Sequence, residues 1–446
     1  MRIRFATMKF AVVVFLFLAI AGCGGGGGDS ENPDALPRFD VRGLESLYPY
    51  SSQGPYRDVL KDCALITRSE NGCSLQRLPF IGQSGNAVTR ADVMDRVLVT
   101  HDWMGRQFDT LLEQAPDDML QLFASVTSIS IGSTVRPSNY WIGTGGIRLD
   151  PAFLWMSLEE KANVSVAEDF RSGYGKELNF VHLQSSRING QRAYPYHTLT
   201  SYDERTLEDL RIRVYSLLYH ELGHAVDYMH PDLMQLVDTS SNPADAIEAL
   251  ESYRASTQLA AELPLRSTEM LYLAQVKFQG YIATEQQKQY TPADVGSFMG
   301  SEGAIKFYSY YTEQEDFANL LELAMMKKQF DVDFLMGYSV RPADDENPRC
   351  SELILGWGQH NRLSDPFVLP RAKWVLEKVY GSISENDEFI ASNEGLKREM
   401  TSGLNWCENR DGIVASEARR FESISALSQS EGQSEQLRHE LQQGHH

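Results

Sequence analysis

Basic residues and cysteine are both scarce in this sequence, and the apolar run at its N-terminus is short. The 446 residues include 41 Lys and Arg against 61 Asp and Glu, a formal net charge of -20. A surface of this sign repels phosphate backbones, so we expect no nucleic-acid partner. The apolar run at residues 10–19 falls short of the roughly 20 residues that a membrane-spanning helix needs. Hydrophobic residues still make up 42% of the chain, which predicts a globular core.

The N-terminus is typical of an export signal, because three basic residues among the first nine precede the apolar run. The sequence IAGC that follows resembles a bacterial lipobox, whose cysteine, here Cys23, becomes the lipid-modified first residue. Gly24 in place of aspartate favours the outer membrane. We therefore expect a signal peptide at residues 1–22 and a flexible tether at residues 23–45. The protein would be lipid-anchored in the bacterial cell envelope, on the periplasmic or the surface face of the outer membrane.

Four cysteines remain when Cys23 is set aside. They form a close pair, Cys63 and Cys73, and a distant pair, Cys350 and Cys407. An even number of cysteines in an exported chain favours disulfides. We predict the bridges Cys63–Cys73 and Cys350–Cys407, although three pairings are formally possible and four buried thiols are the alternative.

Hydrophobic spacing gives a coarse picture of the elements. It predicts a helix over residues 93–114 and strands over residues 124–132 and 145–150. Beyond about residue 202 the patterns are mostly helical. Residues 416–446 are polar and rich in Ser, Glu and Gln, so we expect a weakly ordered tail that carries at most one surface helix.

The most informative stretch, "YHELGHAVDYMHP", ends a longer helical pattern. Ser201 and Glu204 form a candidate capping box, and Pro231 closes the pattern, which predicts one long helix. On that helix His220 and His224 are four residues apart, so both imidazoles face one side and can bind one ion. Glu221 beside them is placed to hold a water molecule, as in other HExxH helices. The alternative is two ordinary histidines on a surface helix.

A catalytic zinc ion needs a third protein ligand and an open fourth position. Four residues compete for the third place. His230 resembles the last histidine of the metzincin spacing HExxHxxGxxH, although Asp227 stands where that family has glycine. Asp227 itself lies on the face of the two histidines, and Glu313 and Glu315 begin a second helical pattern, "EQEDFANLLELAMM". The residues alone leave these alternatives open.

The stretches "HELGHAVD" and "EDFANLLE" together resemble gluzincin metallopeptidases, in particular the branch of the anthrax lethal factor catalytic domain, and bacterial zincin-like lipoproteins. The resemblance is limited to these motifs and the strand "GGIRLDP" upstream. It implies one Zn²⁺ bound by His220, His224 and Glu315, with Glu221 as the general base. It also implies that Tyr308 assists at the carbonyl oxygen of the substrate.

Several neighbouring residues bear on that assignment. Tyr310 and Tyr311 are close enough to Tyr308 in sequence to compete for its role. Asn319 stands where the family usually has a carboxylate, and its amide would orient a zinc histidine through the second ring nitrogen. Asp227 would be another such orienting partner.

The resemblance implies an α+β, zincin-like catalytic domain at residues 46–415, with two lobes. A small mixed sheet and the active-site helix would occupy residues 46–230, and a mainly helical lobe would occupy residues 231–415. The implied activity is zinc-dependent hydrolysis of peptide bonds, with an extended substrate pairing to an edge strand near Ile147. A non-catalytic, zinc-containing binding or structural lipoprotein is the hypothesis of a different class, and a metal-dependent cell-wall amidase is a further one.

Overall fold

The structure is a computed structural model in which residues 44–412, except 168, 198 and 200, and residues 436–441 are described. Within these ranges the chain has a mixed α+β fold with two five-stranded sheets. The expected signal peptide, Cys23 and most of the tether lie outside the described residues, as does most of the polar tail. No helix in the described ranges is long and apolar enough to cross a membrane.

The first sheet is built from the N-terminal part of the chain. Its strands are β1 (Tyr48–Pro49), β2 (Val97–Val99), β3 (Ile129–Ile131), β4 (Asn139–Trp141) and β5 (Gly146–Leu149). The order is β1-β2-β3-β5-β4, with β2, β3 and β5 parallel and the two edge strands antiparallel. The strand predicted at residues 145–150 is confirmed as β5. The expectation that Ile147 marks the edge is wrong, because β5 pairs on both sides and β4 is the edge strand.

Helices make up most of the remaining regular structure. They are α1 (Arg57–Ala64), α2 (Arg90–Met94), α3 (Asp102–Glu113), α4 (Asp117–Leu122), α5 (Leu158–Lys161), α6 (Leu207–Tyr228), α7 (Pro243–Ala249), α8 (Ala255–Glu262), α9 (Thr268–Gln279), α10 (Pro292–Gly300), α11 (Glu313–Phe330), α12 (Leu369–Tyr380), α13 (Ser384–Asn393) and α14 (Trp406–Asp411).

The single helix predicted over residues 93–114 is wrong. The chain there forms the end of α2, strand β2 and then α3. All three residues of β2 are fully buried, and the strand pairs with β1 and β3. A short, fully buried apolar run shows no alternation, so periodicity does not distinguish it from part of a helix.

Helix α6 is the central element of the fold. Thr206 caps it, since its hydroxyl accepts a hydrogen bond from the backbone N–H of Asp209, and the Asp209 carboxylate accepts one from Thr206. The capping box predicted at Ser201 and Glu204 is therefore wrong; the same hydroxyl-to-acid spacing recurs at Thr206, where the helix begins. Residues 214–227 are all buried, because β4, α4, α8 and α11 cover the helix.

The second sheet joins the two halves of the chain. Its strands are β6 (Phe180–Ile188), β7 (Gln191–Arg192), β8 (Asp333–Val340), β9 (Leu355–His360) and β10 (Arg398–Glu399), in the antiparallel order β10-β9-β8-β6-β7. The central pair, β6 and β8, runs from Phe180 opposite Val340 to Arg187 opposite Asp333. The C-terminal half, predicted as mainly helical, thus supplies three strands of this sheet.

Both predicted disulfides are confirmed. Cys63 is bonded to Cys73, and Cys350 is bonded to Cys407 at the start of α14. The described part of the tail, residues 436–441, is helical and packs beside α14. Its Glu440 carboxylate lies 2.9 Å from Nη1 of Arg410. Leu437 is buried in a cluster with Val181 and Leu335 of the second sheet, so this short piece of the tail is packed against the fold.

Candidate metal centre

Helix α6 presents His220 and His224 on one face, as their spacing predicts. Both residues are buried, with exposed fractions of 2% and 6%. Their Nε2 atoms lie 3.2 Å apart, and the rings meet edge to face with centroids 4.9 Å apart. Two imidazole nitrogens therefore converge on one point.

Helix α11 brings the third side chain, Glu315, to the same point. The Thr312 hydroxyl caps this helix by accepting a hydrogen bond from the backbone N–H of Glu315, which fixes Glu315 in the first turn. Glu315 Oε2 lies 3.1 Å from Nε2 of His220 and 3.4 Å from Nε2 of His224. The three donor atoms lie within 4.8 Å of one another, and no other described residues form such a group of metal-binding side chains.

The electrostatics of this group favour a bound cation. Burial would lower the pKa of His220, but the nearby carboxylates of Glu315 and Glu322 raise it to about 9. Burial would raise the pKa of Glu315, yet His224 and His220 hold it below its usual range. Negative charge buried beside two imidazoles is suited to a proton or to a divalent metal ion. The group could therefore hold a metal ion.

Glu221 lies next to this group on α6 and faces the first sheet. Its carboxylate accepts a hydrogen bond from the backbone N–H of Tyr140 in the edge strand β4. Its Oε2 atom is buried and has no hydrogen-bond partner among the described residues. Burial raises the pKa of Glu221, which brings the carboxylate closer to the range of a general base at neutral pH.

Glu322 is a member of the site that the sequence did not reveal. Its Oε2 atom lies 3.4 Å from Nδ1 of His220, the ring nitrogen that points away from the group. Lys306 donates to the same oxygen at 2.5 Å, and the Ser216 hydroxyl donates to Oε1. Glu322 follows Glu315 by seven residues, or about two helical turns. An acid at that interval inside the apolar run "LLELAMM" was the available signal.

Asn319 and Asp227, the expected orienting residues, have other surroundings. Asn319 is fully buried, and neither atom of its amide has a hydrogen-bond partner in the described part of the chain. Asp227 Oδ1 accepts a hydrogen bond of 2.6 Å from the backbone N–H of Ser256 in α8. Burial raises the pKa of Asp227 to about 6. Asp227 thus holds α8 against α6.

The structure does not bring His230 or Glu313 into the group. His230 lies just beyond α6, with 24% of its side chain exposed, and its Nδ1 accepts a hydrogen bond from the backbone N–H of Asp232. Glu313 is exposed at the first position of α11. Of the four competing residues, only Glu315 meets the two histidines.

Tyr308 lies buried in a short turn before α11. Its hydroxyl accepts a hydrogen bond of 3.2 Å from Nη1 of Arg171. Its ring stacks on Tyr311 with centroids 5.3 Å apart. Burial would lower the pKa of Arg171, but Tyr308, Asp169 and Glu315 together raise it. Arg171 therefore hydrogen-bonds to the Tyr308 hydroxyl, and the negative charge of Glu315 stabilises its protonated form.

Two imidazoles and one carboxylate leave a tetrahedral metal ion with one open position. The buried carboxylate of Glu221 lies beside that donor set, which is an arrangement suited to activating water. No family model, curated protein or solved structure matches this chain.

Proposed function

We propose that the chain is a zinc-dependent metallopeptidase of gluzincin type, tethered to the bacterial outer membrane through Cys23. The observation that carries the proposal is the meeting of His220, His224 and Glu315 from two different helices. Nitrogen and carboxylate donors in this number are typical of catalytic zinc sites. The substrate would be a peptide or protein of the cell envelope.

Bound zinc would supply Lewis acidity and lower the pKa of water. Glu221 takes a proton from the attacking water and then delivers it to the amine nitrogen of the leaving group. Its raised pKa and its free Oε2 atom favour both transfers. The Tyr308 hydroxyl, oriented by Arg171, donates to the substrate's carbonyl oxygen as negative charge develops there.

Recognition of the substrate backbone follows from the position of the edge strand. Strand β4 is antiparallel to β5 and has no further strand beside it in the described sheet. The backbone N–H of Tyr140 in β4 contacts the Glu221 carboxylate. An extended peptide that pairs with β4 would therefore run past the general base.

Metal content tests the ligand set. Purified wild-type chain should contain close to one zinc ion per molecule, and Glu315→Ala should lose it. His230→Ala should keep it, because His230 lies outside the group. Loss only in His230→Ala would move the protein to the metzincins, and absence of zinc from the wild type would refute the enzyme proposal.

A peptide-library cleavage assay tests turnover. We expect Glu221→Gln to keep zinc but to lose cleavage by several hundredfold or more, as removal of a general base does. Equal cleavage by both proteins would show that the activity comes from another source.

A second candidate function rests on the burial of the ligands. The exposed fractions of His220, His224 and Glu315 are 2%, 6% and 3%, as expected for a structural zinc site in a non-catalytic binding protein. Full zinc content without cleavage of any library peptide, and with no difference between wild type and Glu221→Gln, would support this alternative.

A further inference from the structure

A cavity of about 380 Å³ lies apart from the metal centre. Phe180 and His182 of β6 and Phe307 contribute to its lining, as do Arg213 of α6 and Lys277 of α9. His220, His224 and Glu315 do not line it. Its exposed lining surface is mainly apolar, but many of the lining side chains are charged. The volume is within the range of small-molecule sites.

The acids around the cavity are already neutralised. Each one forms a salt bridge with an arginine, in the pairs Arg136–Asp150, Arg171–Asp169, Arg341–Asp345 and Arg438–Glu346. Lys277 has no carboxylate within salt-bridge distance among the described residues, and its ammonium reaches only the Tyr174 carbonyl oxygen, at 3.5 Å. The cavity therefore retains a positive charge that the surrounding acids do not neutralise.

His182 adds a hydrogen-bond donor. Burial, together with the charges of Lys277 and Lys306, lowers its pKa to about 3, so the ring is neutral at physiological pH. Gln184 Nε2 lies 2.6 Å from His182 Nε2. With the amide in this orientation Gln184 donates, so His182 carries its proton on Nδ1. Nδ1 is buried and has no partner in the part of the protein that the structure describes.

We propose that this cavity binds a small organic anion that has a carboxylate head and an apolar body. The head would lie between Lys277 and the Nδ1–H of His182, where two donors lack an acidic partner. The body would pack against the rings of Phe180 and Phe307. Binding at this site is separate from the proposed peptidase activity and needs no metal ion.

Calorimetric titration of the full-length protein tests the ligand class. Hexanoate is the probe. 1-Hexanol, which has the same apolar chain but no carboxylate, and acetate, which has the carboxylate but no long chain, are the controls. We expect hexanoate to bind one per chain, with hexanol and acetate at least about tenfold weaker. Equal affinity for hexanoate and hexanol, or no binding of hexanoate, would overturn the proposal.

Variants test the site itself. Lys277→Met and His182→Phe should each weaken hexanoate binding, the first by about tenfold or more. Lys176→Met, which removes an exposed lysine of the same cavity wall, should change it by less than about twofold. Unchanged affinity in a folded Lys277→Met protein would contradict the proposal. If that variant does not fold, the affinities of the wild-type protein for hexanoate, 1-hexanol and acetate still test whether the cavity binds a carboxylate with an apolar body.

A carboxylate can also coordinate a metal ion, so the titration is repeated on Glu315→Ala. This variant lacks a proposed metal ligand but keeps the cavity. Retained binding is expected there. Loss of hexanoate binding in Glu315→Ala would place the anion at the metal centre and refute the cavity site, whatever the outcome of the peptidase tests.

Discussion

The Glu322 carboxylate lies 3.4 Å from Nδ1 of His220, on the side of the ring opposite Glu315. Lys306 and Ser216 hold that carboxylate in place through hydrogen bonds to its two oxygens. A carboxylate at the outer nitrogen fixes the ring orientation and the tautomer, and it raises the basicity of the inner nitrogen. Helix α11 therefore contributes both the proposed metal ligand Glu315 and a carboxylate placed to orient His220.

Glu322→Gln should weaken zinc binding by about 10- to 100-fold, because the neutral amide polarises His220 less than a carboxylate does. Competition with a chromophoric chelator measures the affinity directly. Peptide cleavage at saturating zinc would fall less than the zinc affinity, since Glu322 does not contact the substrate in the proposed mechanism.

Asn319→Leu is the matched control on the same helix. Its amide makes no hydrogen bond within the described structure, so zinc affinity should stay within about twofold. A larger loss in Asn319→Leu than in Glu322→Gln would return the orienting role to Asn319, where the resemblance to gluzincins placed it.

The predictable part of the site is the part that helical geometry fixes. The spacing of His220 and His224 determines that they share a face, and a helix beginning near Thr312 determines that Glu315 lies in its first turn. Which helix then meets α6 is a tertiary property. Whether Glu315 or His230 meets the two histidines depends on tertiary packing, which no local pattern shows. The resemblance to gluzincins, and not the spacing, indicated Glu315. Glu322 was not predicted because the resemblance assigns the orienting role to the position four residues after Glu315, where Asn319 stands, whereas the carboxylate beside His220 comes from seven residues after it.

The fold was less predictable for related reasons. Strand β2 is three buried residues long, too short for its period to be read. The pairing of β6 with β8 joins residues about 150 positions apart, and such long-range pairs depend on contacts across the whole chain. The two disulfides were predictable because the four cysteines other than Cys23 fall in sequence into a close pair and a distant pair, and an even number favours bridges in an exported chain.

Close packing of α6 on α11 makes Gly223 a sensitive position. A Cβ at Gly223 would lie 3.1 Å from Cα of Ala318, which is closer than ordinary packing allows. Gly223→Leu should force the two helices apart, reduce the free energy of unfolding by about 1–3 kcal/mol and weaken zinc binding. Chemical denaturation and chelator competition measure the two effects. A stable Gly223→Leu protein with unchanged zinc affinity would show that the helices tolerate separation.

The ion pair of Arg371 and Asp316 should also support the site. Both side chains are buried, and Arg371 Nη1 lies 3.0 Å from Oδ1 of Asp316, the residue after Glu315. Arg371→Met would leave a buried carboxylate unpaired, which typically costs about 3–5 kcal/mol. Arg349→Met removes the exposed arginine of a pair with the half-buried Glu352 and should change the melting temperature much less.

A double variant separates charge from packing. Asp316→Leu combined with Arg371→Met removes both charges, so it should be less destabilised than Arg371→Met alone. Equal destabilisation of the single and double variants would mean that the loss comes from packing and from the other hydrogen bonds of Arg371.

Stability should fall on mild acidification partly because of His182. Its folded-state pKa is lowered to about 3, mainly by burial, whereas an unfolded histidine titrates near 6.5. Below that pH the unfolded chain binds a proton that the folded chain does not, so stability is lost as pH falls. From pH 7.5 to 5.5 this one group should remove about 1.4 kcal/mol from the free energy of unfolding.

Two variants test this contribution. The loss of unfolding free energy between pH 7.5 and 5.5 should be smaller in His182→Phe than in the wild type by that amount. Phe180→Leu, which perturbs the same strand without removing a titrating group, should show the wild-type dependence on pH. Urea unfolding with a chelator present measures this without a contribution from metal release. An identical pH dependence for all three proteins would contradict the prediction, because it would mean that His182 takes up its proton over the same pH range in the folded and the unfolded chain.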